Sequence, residues 1–420
     1  MLDIKFIREN PEVVRQAMAN RQEKSSPLDE ILQIDAERRL KMTDLEDLRR
    51  NRKQASKERQ ADAAEAGRAL RTKIRDLEEE VTKLDVKLTD LLLQMPNIPS
   101  PKVPIGKDSS ENIVLRSWGE PKKLSFHAKP HWELGESLGI IDFERGVKLS
   151  GTRFYILRGL GARLQRAVIA YMLDLHTLVH GYKEIYPPYM VKKECLVGAG
   201  QLPKFVDNLY HDIEEDYWWV PTAEVPLTNL HRDEIIQPGM LPFHYVAYTA
   251  CFRREKMSAG KDTRGIKRGH QFDKVEMYKF VEPENSPEEL EKMVHDAEDV
   301  CQKLGLPYRI LQICTGDIGF GSTMTYDIEV WAPGCQEWLE VSSCSNCGDF
   351  QGRRANVRYR PAADAKPQFV HTLNGSGLAL PRIMIAIMEN YQQEDGSIVV
   401  PEVLQDFLHT KIIGKESNIR

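Results

Sequence analysis

Four short segments of this 420-residue chain carry polar residues in spacings that a packed core does not require. In Thr222-Ala223-Glu224 a hydroxyl and a carboxylate stand two residues apart, and on an extended segment residues two apart share a face. Cys251-Phe252-Arg253-Arg254-Glu255 precedes a loop at 256–269 that is rich in glycine and basic residues, Arg264, Lys267 and Arg268 among them. His270-Gln271-Phe272-Asp273-Lys274-Val275-Glu276 follows. Strand alternation sets Arg253 with Glu255 on one face, and Phe272, Lys274 and Glu276 on one face. A guanidinium fork, an aromatic plate and a carboxylate converging across such a hairpin could hold a phosphate, a base and an amine. Glu340-Val341-Ser342-Ser343 offers hard oxygen ligands suited to magnesium bridging phosphates. Asn374-Gly375-Ser376-Gly377 allows close backbone approach, Pro381 suits a first helical turn, and Arg382 then stands near a helix N-terminus, where anions are favoured. Taken singly, each segment also suits an ordinary salt-bridged surface.

The elements that must position these residues follow from periodicity. Leu70, Ile74, Leu77, Val81, Leu84, Leu88, Leu91 and Met95 alternate spacings of four and three, a heptad seam. Upstream, Leu28, Ile31, Ile34, Met42, Leu45 and Leu48 form a looser stripe. Residues 60–67 between them contain no large apolar side chain and end in Gly67, so the pattern predicts a long antiparallel helical hairpin over about 28–95. A dimerising coiled coil would show the same seam. From Arg49 to Arg75 ten basic residues face only Glu58, Asp62 and Glu65, giving +7 in a chain whose net charge is −5. Such concentration suits a phosphate backbone, because each neutralised phosphate releases condensed counterions. Pro96, Pro99, Pro101 and Pro104 then punctuate the chain and place a domain boundary there. Beyond it, short strands such as Trp218-Trp219-Val220 and Trp338-Leu339-Glu340-Val341 alternate with helices, one predicted over 161–177.

Bulk properties narrow the class. The longest apolar runs fall far short of the roughly 20 residues a membrane span requires. The opening Met1-Leu2-Asp3-Ile4-Lys5 lacks the apolar run of a secretory signal. Seven cysteines, an odd number, fit a reducing cytosol better than a disulfide framework, so a cytoplasmic location is expected. Cys344-x-x-Cys347 offers half a zinc site without an evident second half.

The order of these segments resembles the class II aminoacyl-tRNA synthetases. Arg253 with Glu255, then Phe272, resembles their motif 2, and the glycine-led Arg382 their motif 3. The segment around His180-Gly181 and Tyr186-Pro187-Pro188 resembles motif 1, the dimer-interface element. More specifically, Thr222-Ala223-Glu224-Val225-Pro226-Leu227-Thr228-Asn229, residues 270–276, His371-Thr372-Leu373-Asn374-Gly375-Ser376-Gly377, residues 131–136 and Ser343-Cys344-Ser345-Asn346-Cys347 resemble seryl-tRNA synthetases of bacterial type. The resemblance covers roughly residues 1–410.

It implies an α+β protein: an N-terminal tRNA-binding domain at 1–104 carrying the coiled-coil hairpin, and a catalytic domain at 105–420, an antiparallel sheet flanked by helices. The implied activity is ATP-dependent attachment of L-serine to tRNA(Ser) through seryl-adenylate, with tRNA(Sec) a further acceptor, by a homodimer using Mg2+. Arg253, Glu255 and Arg382 are the implied catalytic residues. Thr222, Ala223, Glu224, Arg253, Glu276 and Ser376 would take serine. Arg253, Arg254, Glu255, Arg264, Phe272, Glu340, Val341, Ser342, Ser343 and Arg382 would take ATP, with magnesium on Glu340 and Ser343. Lys256-Met257 stands where the family commonly has Ala-Gly, Lys267 and Gly269 replace apolar residues, and Leu380-Pro381 precedes the motif 3 arginine where Val-Gly is common. A ligase that loads a carrier protein would be expected to lack the basic hairpin, and a silent RNA-binding paralogue to have lost Arg253, Glu255 or Arg382.

Overall fold

In the computed structural model, which describes residues 1–55, 63–256, 262 and 264–415, the chain divides into two units, Met1–Ile98 and Pro99–Arg420. The first unit opens with α1 (Ile4–Glu9), capped by Asp3, whose carboxylate accepts from the Lys5 N–H at 2.8 Å. Helix α2 (Pro11–Asn20) begins at a proline, whose missing N–H would be unpaired there anyway. Two long helices follow, α3 (Leu28–Ala55) and α4 (Ala63–Gln94). All eight seam positions from Leu70 to Met95 are buried or half-buried, as the heptad pattern requires. The upstream stripe holds less well: Leu45 is buried, whereas Met42 is exposed and Lys41 and Arg38 take the inward positions. Those cations reach acids on α4, Arg38 to Asp85 and Lys41 to Glu80 at 2.6 Å, and Arg49 meets Glu78 at 2.7 Å. Partners descend on α4 as they ascend on α3, so the pairing is antiparallel. The predicted break at 60–67 is shorter than expected, because α4 already begins at Ala63 and runs through Gly67; residues 56–62, with Lys57, Glu58, Arg59 and Asp62, lie outside the described residues. Leu2, Ile7, Val14 and Met18 close the base against Leu28, Ile31, Leu88, Leu92 and Met95.

The second unit contains, in chain order, β1 (Ile113–Trp118), α5 (His131–Ser137), β2 (Ile141–Asp142), α6 (Phe143–Ser150), β3 (Ile156–Leu157), α7 (Leu160–Leu178) and β4 (Lys183–Glu184). Next come β5 (Met190–Lys192), α8 (Lys193–Ala199), β6 (Tyr217–Trp219), α9 (Glu224–Thr228), β7 (Ile235–Ile236), β8 (Phe243–Phe252), β9 (Gln271–Val281) and α10 (Ser286–Lys303). The order continues with β10 (Tyr308–Gln312), β11 (Met324–Ala332), β12 (Glu337–Gly348), α11 (Phe350–Arg354), β13 (Arg358–Tyr359), β14 (Gln368–Phe369), β15 (His371–Ala379) and α12 (Leu380–Asn390).

An eight-stranded sheet ordered β1-β10-β11-β12-β15-β9-β8-β4 forms the centre, antiparallel except for the edge pair β4–β8. Helix α7 packs Leu164, Val168 and Met172 into its core, α10 adds Leu290, Met293 and Val294, and α12 adds Ile383, Ile385 and Ile387. The predicted helix at 161–177 is α7, and α12 starts as expected, with Pro381 in its first turn. The α+β class and the antiparallel sheet flanked by helices are therefore as expected. No helix among the described residues is long and apolar enough to cross a membrane.

Two local expectations need correction. Thr222-Ala223-Glu224 is not extended: Ala223 has φ −64° and ψ −17° and caps α9, which begins at Glu224. Thr222 and Glu224 still meet, because the Thr222 hydroxyl accepts the Glu224 N–H at 3.2 Å. Nor do Arg253 and Glu255 share a strand face, since β8 ends at Phe252 and Glu255 turns the chain with φ +50°.

Candidate active site

Two β-bulges aim the site. Opposite β11, Glu340 pairs Glu329 and Ser342 pairs Ile328, so Val341 is an extra residue. That residue resets the alternation and lets Glu340 and Ser343, three apart, face the same cleft. On β15, Ser376 pairs Glu276 and Leu378 pairs Val275, leaving Gly377 as the extra residue. Ser376 and Ala379 consequently both line the cleft. A Cβ on Gly377 would lie 2.7 Å from His176 Nε2, and that ring nitrogen is 3.0 Å from the Gly377 carbonyl. Burial pushes His176 down to about 4, so at neutral pH the ring is neutral and donates this one proton to the bulge. Ser342, itself buried, donates to the Ser376 carbonyl at 2.6 Å and so fixes the same turn from the other side.

The cleft gathers Thr222, Glu224, Arg253, Glu255, Phe272, Glu276, Glu340, Ser343, Ser376 and Arg382. Arg253 lies with its guanidinium carbon 5.0 Å from the Phe272 ring centre and donates to the Pro221 carbonyl at 3.2 Å. Its backbone N–H donates to the His270 carbonyl at 2.9 Å, joining the two arms of the hairpin. Glu276 is buried, pairs with Lys274 and accepts from the Thr222 hydroxyl at 3.3 Å. Glu224 Oε1 accepts from Gln351 at 2.6 Å and from Asn374 at 3.1 Å. Burial, with the Glu276 carboxylate second, lifts Glu224 to about 7 against the pull of Lys274, Gln351 and Arg253. A second group holds Arg382, which donates to the Glu340 carbonyl at 2.7 Å and meets its carboxylate at 3.2 Å. Behind it Asp327, opposite Ser343 in the ladder, is held well above the usual carboxylate range by burial and by Glu340.

The remaining expected residues stand elsewhere. Ala223 and Val341 are buried in the wall. Arg254 lies over the Tyr210 ring at 5.7 Å, and Arg264 is exposed and does not line the cleft. The 256–269 loop lies partly outside the described residues, at 257–261 and 263; its Arg268 reaches Glu255 at 3.7 Å. Conversely, Lys267, Arg268, Lys274, Asn374 and Gln201 line the cleft although the motifs give them no role. Lys274 carries a signal in the sequence, since it shares the strand face of Phe272 and Glu276; Gln201 carries none.

Among the described residues one group of side chains has metal-ligating proximity, His131, Cys335 and Glu389, and it does not include Cys344 or Cys347. His131 Nε2 accepts the Ile266 N–H at 3.1 Å, so its proton sits on Nδ1 and goes to Glu389 Oε1 at 3.1 Å. Cys335 Sγ donates to the same oxygen at 3.0 Å. The trio is satisfied internally and ties α5, α12 and the β11–β12 turn to the end of the 256–269 loop.

Comparison with known proteins agrees with this layout. Residues 1–99 match the seryl-tRNA synthetase N-terminal domain, and residues 206–391 match the tRNA synthetase class II core domain (G, H, P, S and T). A serine–tRNA ligase of Dehalococcoides mccartyi is 66% identical over 98% of this chain and 100% of its own length. One from Thermomicrobium roseum is 58% identical over 97% and 93%. Among solved structures, the seryl-tRNA synthetase of Pyrococcus horikoshii complexed with ATP superposes with a TM-score of 0.94 at 40% identity over 99% of both chains. The cytoplasmic serine–tRNA ligase of Naegleria fowleri in complex with AMP gives 0.90 at 32%, again over 99% of both. With matches spanning the helical hairpin, the class II core and nearly the full length of these relatives, the chain belongs to the seryl-tRNA synthetase family.

Proposed function

We propose that the cleft joins L-serine to ATP and that the protein then passes the seryl group to tRNA(Ser). The observation that carries this reading is the juxtaposition of Arg253 on Phe272 with the paired carboxylates Glu224 and Glu276 in one cleft. Phe272 offers a face for adenine, and Glu255 sits beside it to accept from the adenine amine. Arg253 lies between nucleotide and amino acid, where negative charge builds as the serine carboxylate attacks the α-phosphorus and pyrophosphate leaves. A fixed guanidinium stabilises that charge without reorganising. Arg382, at the start of α12, takes the far phosphates. Glu224 and Glu276 take the serine ammonium, and Thr222 and Ser376 its hydroxyl. A site whose polar groups need a hydroxyl partner rejects alanine by leaving them unpaired. In the second step the terminal ribose hydroxyl attacks the seryl carbonyl and AMP leaves.

Glu340 and Ser343 would hold magnesium. The fit rests on Asp327 just behind them, whose buried Oδ1 has no hydrogen-bond partner while a second carboxylate crowds it. A divalent cation there would neutralise phosphate charge. The hairpin would take the tRNA by shape and charge: Arg52, Arg68, Arg71 and Lys73 are all exposed. Reading shape instead of the anticodon also makes tRNA(Sec) an acceptor. The protein works as a cytoplasmic homodimer in this reading; Leu178, Val179 and Tyr186, exposed beside the edge strand β4, supply an apolar surface for a second copy.

Serine-dependent exchange of pyrophosphate into ATP, run beside tRNA charging, tests the proposal. Both activities are expected. Exchange without charging would point to a carrier-loading ligase, and no exchange with any amino acid would overturn the enzymatic reading.

A further inference from the structure

Gln351 lies outside the motifs and off the Phe272 side of the cleft, lining the adjoining cavity with Thr222, Glu224, Arg253 and Asn374, and its amide makes every hydrogen bond it can. It sits in α11, 1% exposed. Its Nε2 donates to Glu224 Oε1 at 2.6 Å and to the Ala199 carbonyl at 3.1 Å. Its Oε1 accepts from the Thr372 hydroxyl at 2.6 Å and the Tyr278 hydroxyl at 2.9 Å. An amide has two protons and two lone pairs, so none remains unused. The orientation is forced as well, because the Ala199 carbonyl can only accept and the nitrogen must face it. A reversed amide would set oxygen against both that carbonyl and the Glu224 carboxylate.

We propose that Gln351 is a positioning residue for amino-acid recognition: it orients Glu224 and favours its ionised form, and so sets the pH below which the substrate ammonium is no longer bound. This deepens the reading of the cleft given above and rests on it. The two carboxylates of the site are compensated differently. Glu276 has a cation, Lys274, as its partner, whereas Glu224 Oε1 is held by two neutral amides, Gln351 and Asn374. Glu224 is thus the carboxylate with more to gain from an incoming ammonium, and in the empty site Gln351 is the hydrogen-bond donor that adds to the more distant pull of Lys274 and Arg253 in favouring its charge. Thr372 on β15 and Tyr278 on β9 are both fully buried, so the amide is anchored to the same sheet that carries Ser376 and Glu276. The bond to Ala199, the last residue of α8, ties in the segment leading to Gln201 in the cleft wall. Without Gln351, burial and Glu276 would act on Glu224 with one fewer opposing donor.

Gln351→Met keeps the side-chain length and removes both donors. Pyrophosphate exchange measured across pH 5.5–9 should then show a KM for serine raised about tenfold at neutral pH, as for loss of a hydrogen bond to a charged group. The acid limb of the 1/KM profile should move up by about one pH unit, the same factor expressed as a pKa. The KM for ATP should stay near its original value, and the KM for serine should recover above pH 8. A serine profile that does not move, or an equal loss in both KM values and kcat at every pH, would overturn the proposal. If Gln351→Met does not fold, Thr372→Val decides: deleting one hydroxyl that anchors the amide should shift the limb in the same direction by less, and an unmoved limb would again overturn it. Exchange by the unaltered protein separates the two failures, because absence of serine-dependent exchange there refutes the cleft reading itself.

Discussion

The helical hairpin and the cleft are two ways of writing function into one chain. Along α4 of the hairpin each seam position follows from its neighbours three and four residues away, and the charge that faces solvent is counted directly along the helix. In the cleft, Thr222, Arg253, Glu276, Ser343 and Ser376 come from five separate stretches of chain and meet only because β12, β15, β9 and β8 are adjacent in the sheet. A local pattern tolerates piecemeal change, whereas a convergent site loses its chemistry when one contributor moves.

Experiments can break that contrast. The largest effect expected is from removing residues 35–90, which should abolish tRNA charging while serine-dependent exchange persists; equal loss of both would mean the two units do not divide the work. Arg253→Ala should lower exchange by about 10²- to 10³-fold, the usual scale for losing one preorganised charge stabiliser, with tRNA retention on filters unchanged. Lost tRNA retention in that variant would merge the two roles.

Charge removal on the hairpin is graded. Replacing Arg52, Arg68, Arg71 and Lys73 together with alanine should raise the KM for tRNA and flatten its dependence on log salt by up to about 0.9 for each phosphate left unneutralised. An unaltered salt slope would assign these residues to an ordinary solvated surface. In the cleft, Glu224 at about 7 should impose an acid limb on serine binding. The carboxylate is protonated below that pH and loses its attraction for an ammonium, so 1/KM for serine should fall about tenfold per unit once pH drops well below 7. Glu224→Gln should lack the limb; a limb retained in that variant belongs to another group. The smallest effect is expected from Arg49→Met, which breaks only an exposed pair with Glu78. Melting should be nearly unchanged, because exposed ion pairs add little.

Much of the cleft is legible in the sequence, since strand alternation places Phe272, Lys274 and Glu276 on one face and the helix-start pattern places Arg382. Thr222 and Glu224 are legible as neighbours but not on their actual backbone, because a three-residue segment does not distinguish an extended strand from the first turn of a helix. Glu340 with Ser343 is the harder case. Strict alternation sends residues three apart to opposite faces, and only the bulge at Val341 reverses this.

The sequence by itself determined the hairpin, the basic stretch upon it and the residue types in each motif, because all of these are encoded at separations of a few residues. Tertiary structure alone decided where the two bulges fall, that Lys274 compensates Glu276 and that Gln351 grips Glu224 from 127 residues away. Those interactions depend on strand pairing and on which buried groups must share the available hydrogen bonds, and neither is written in local spacing.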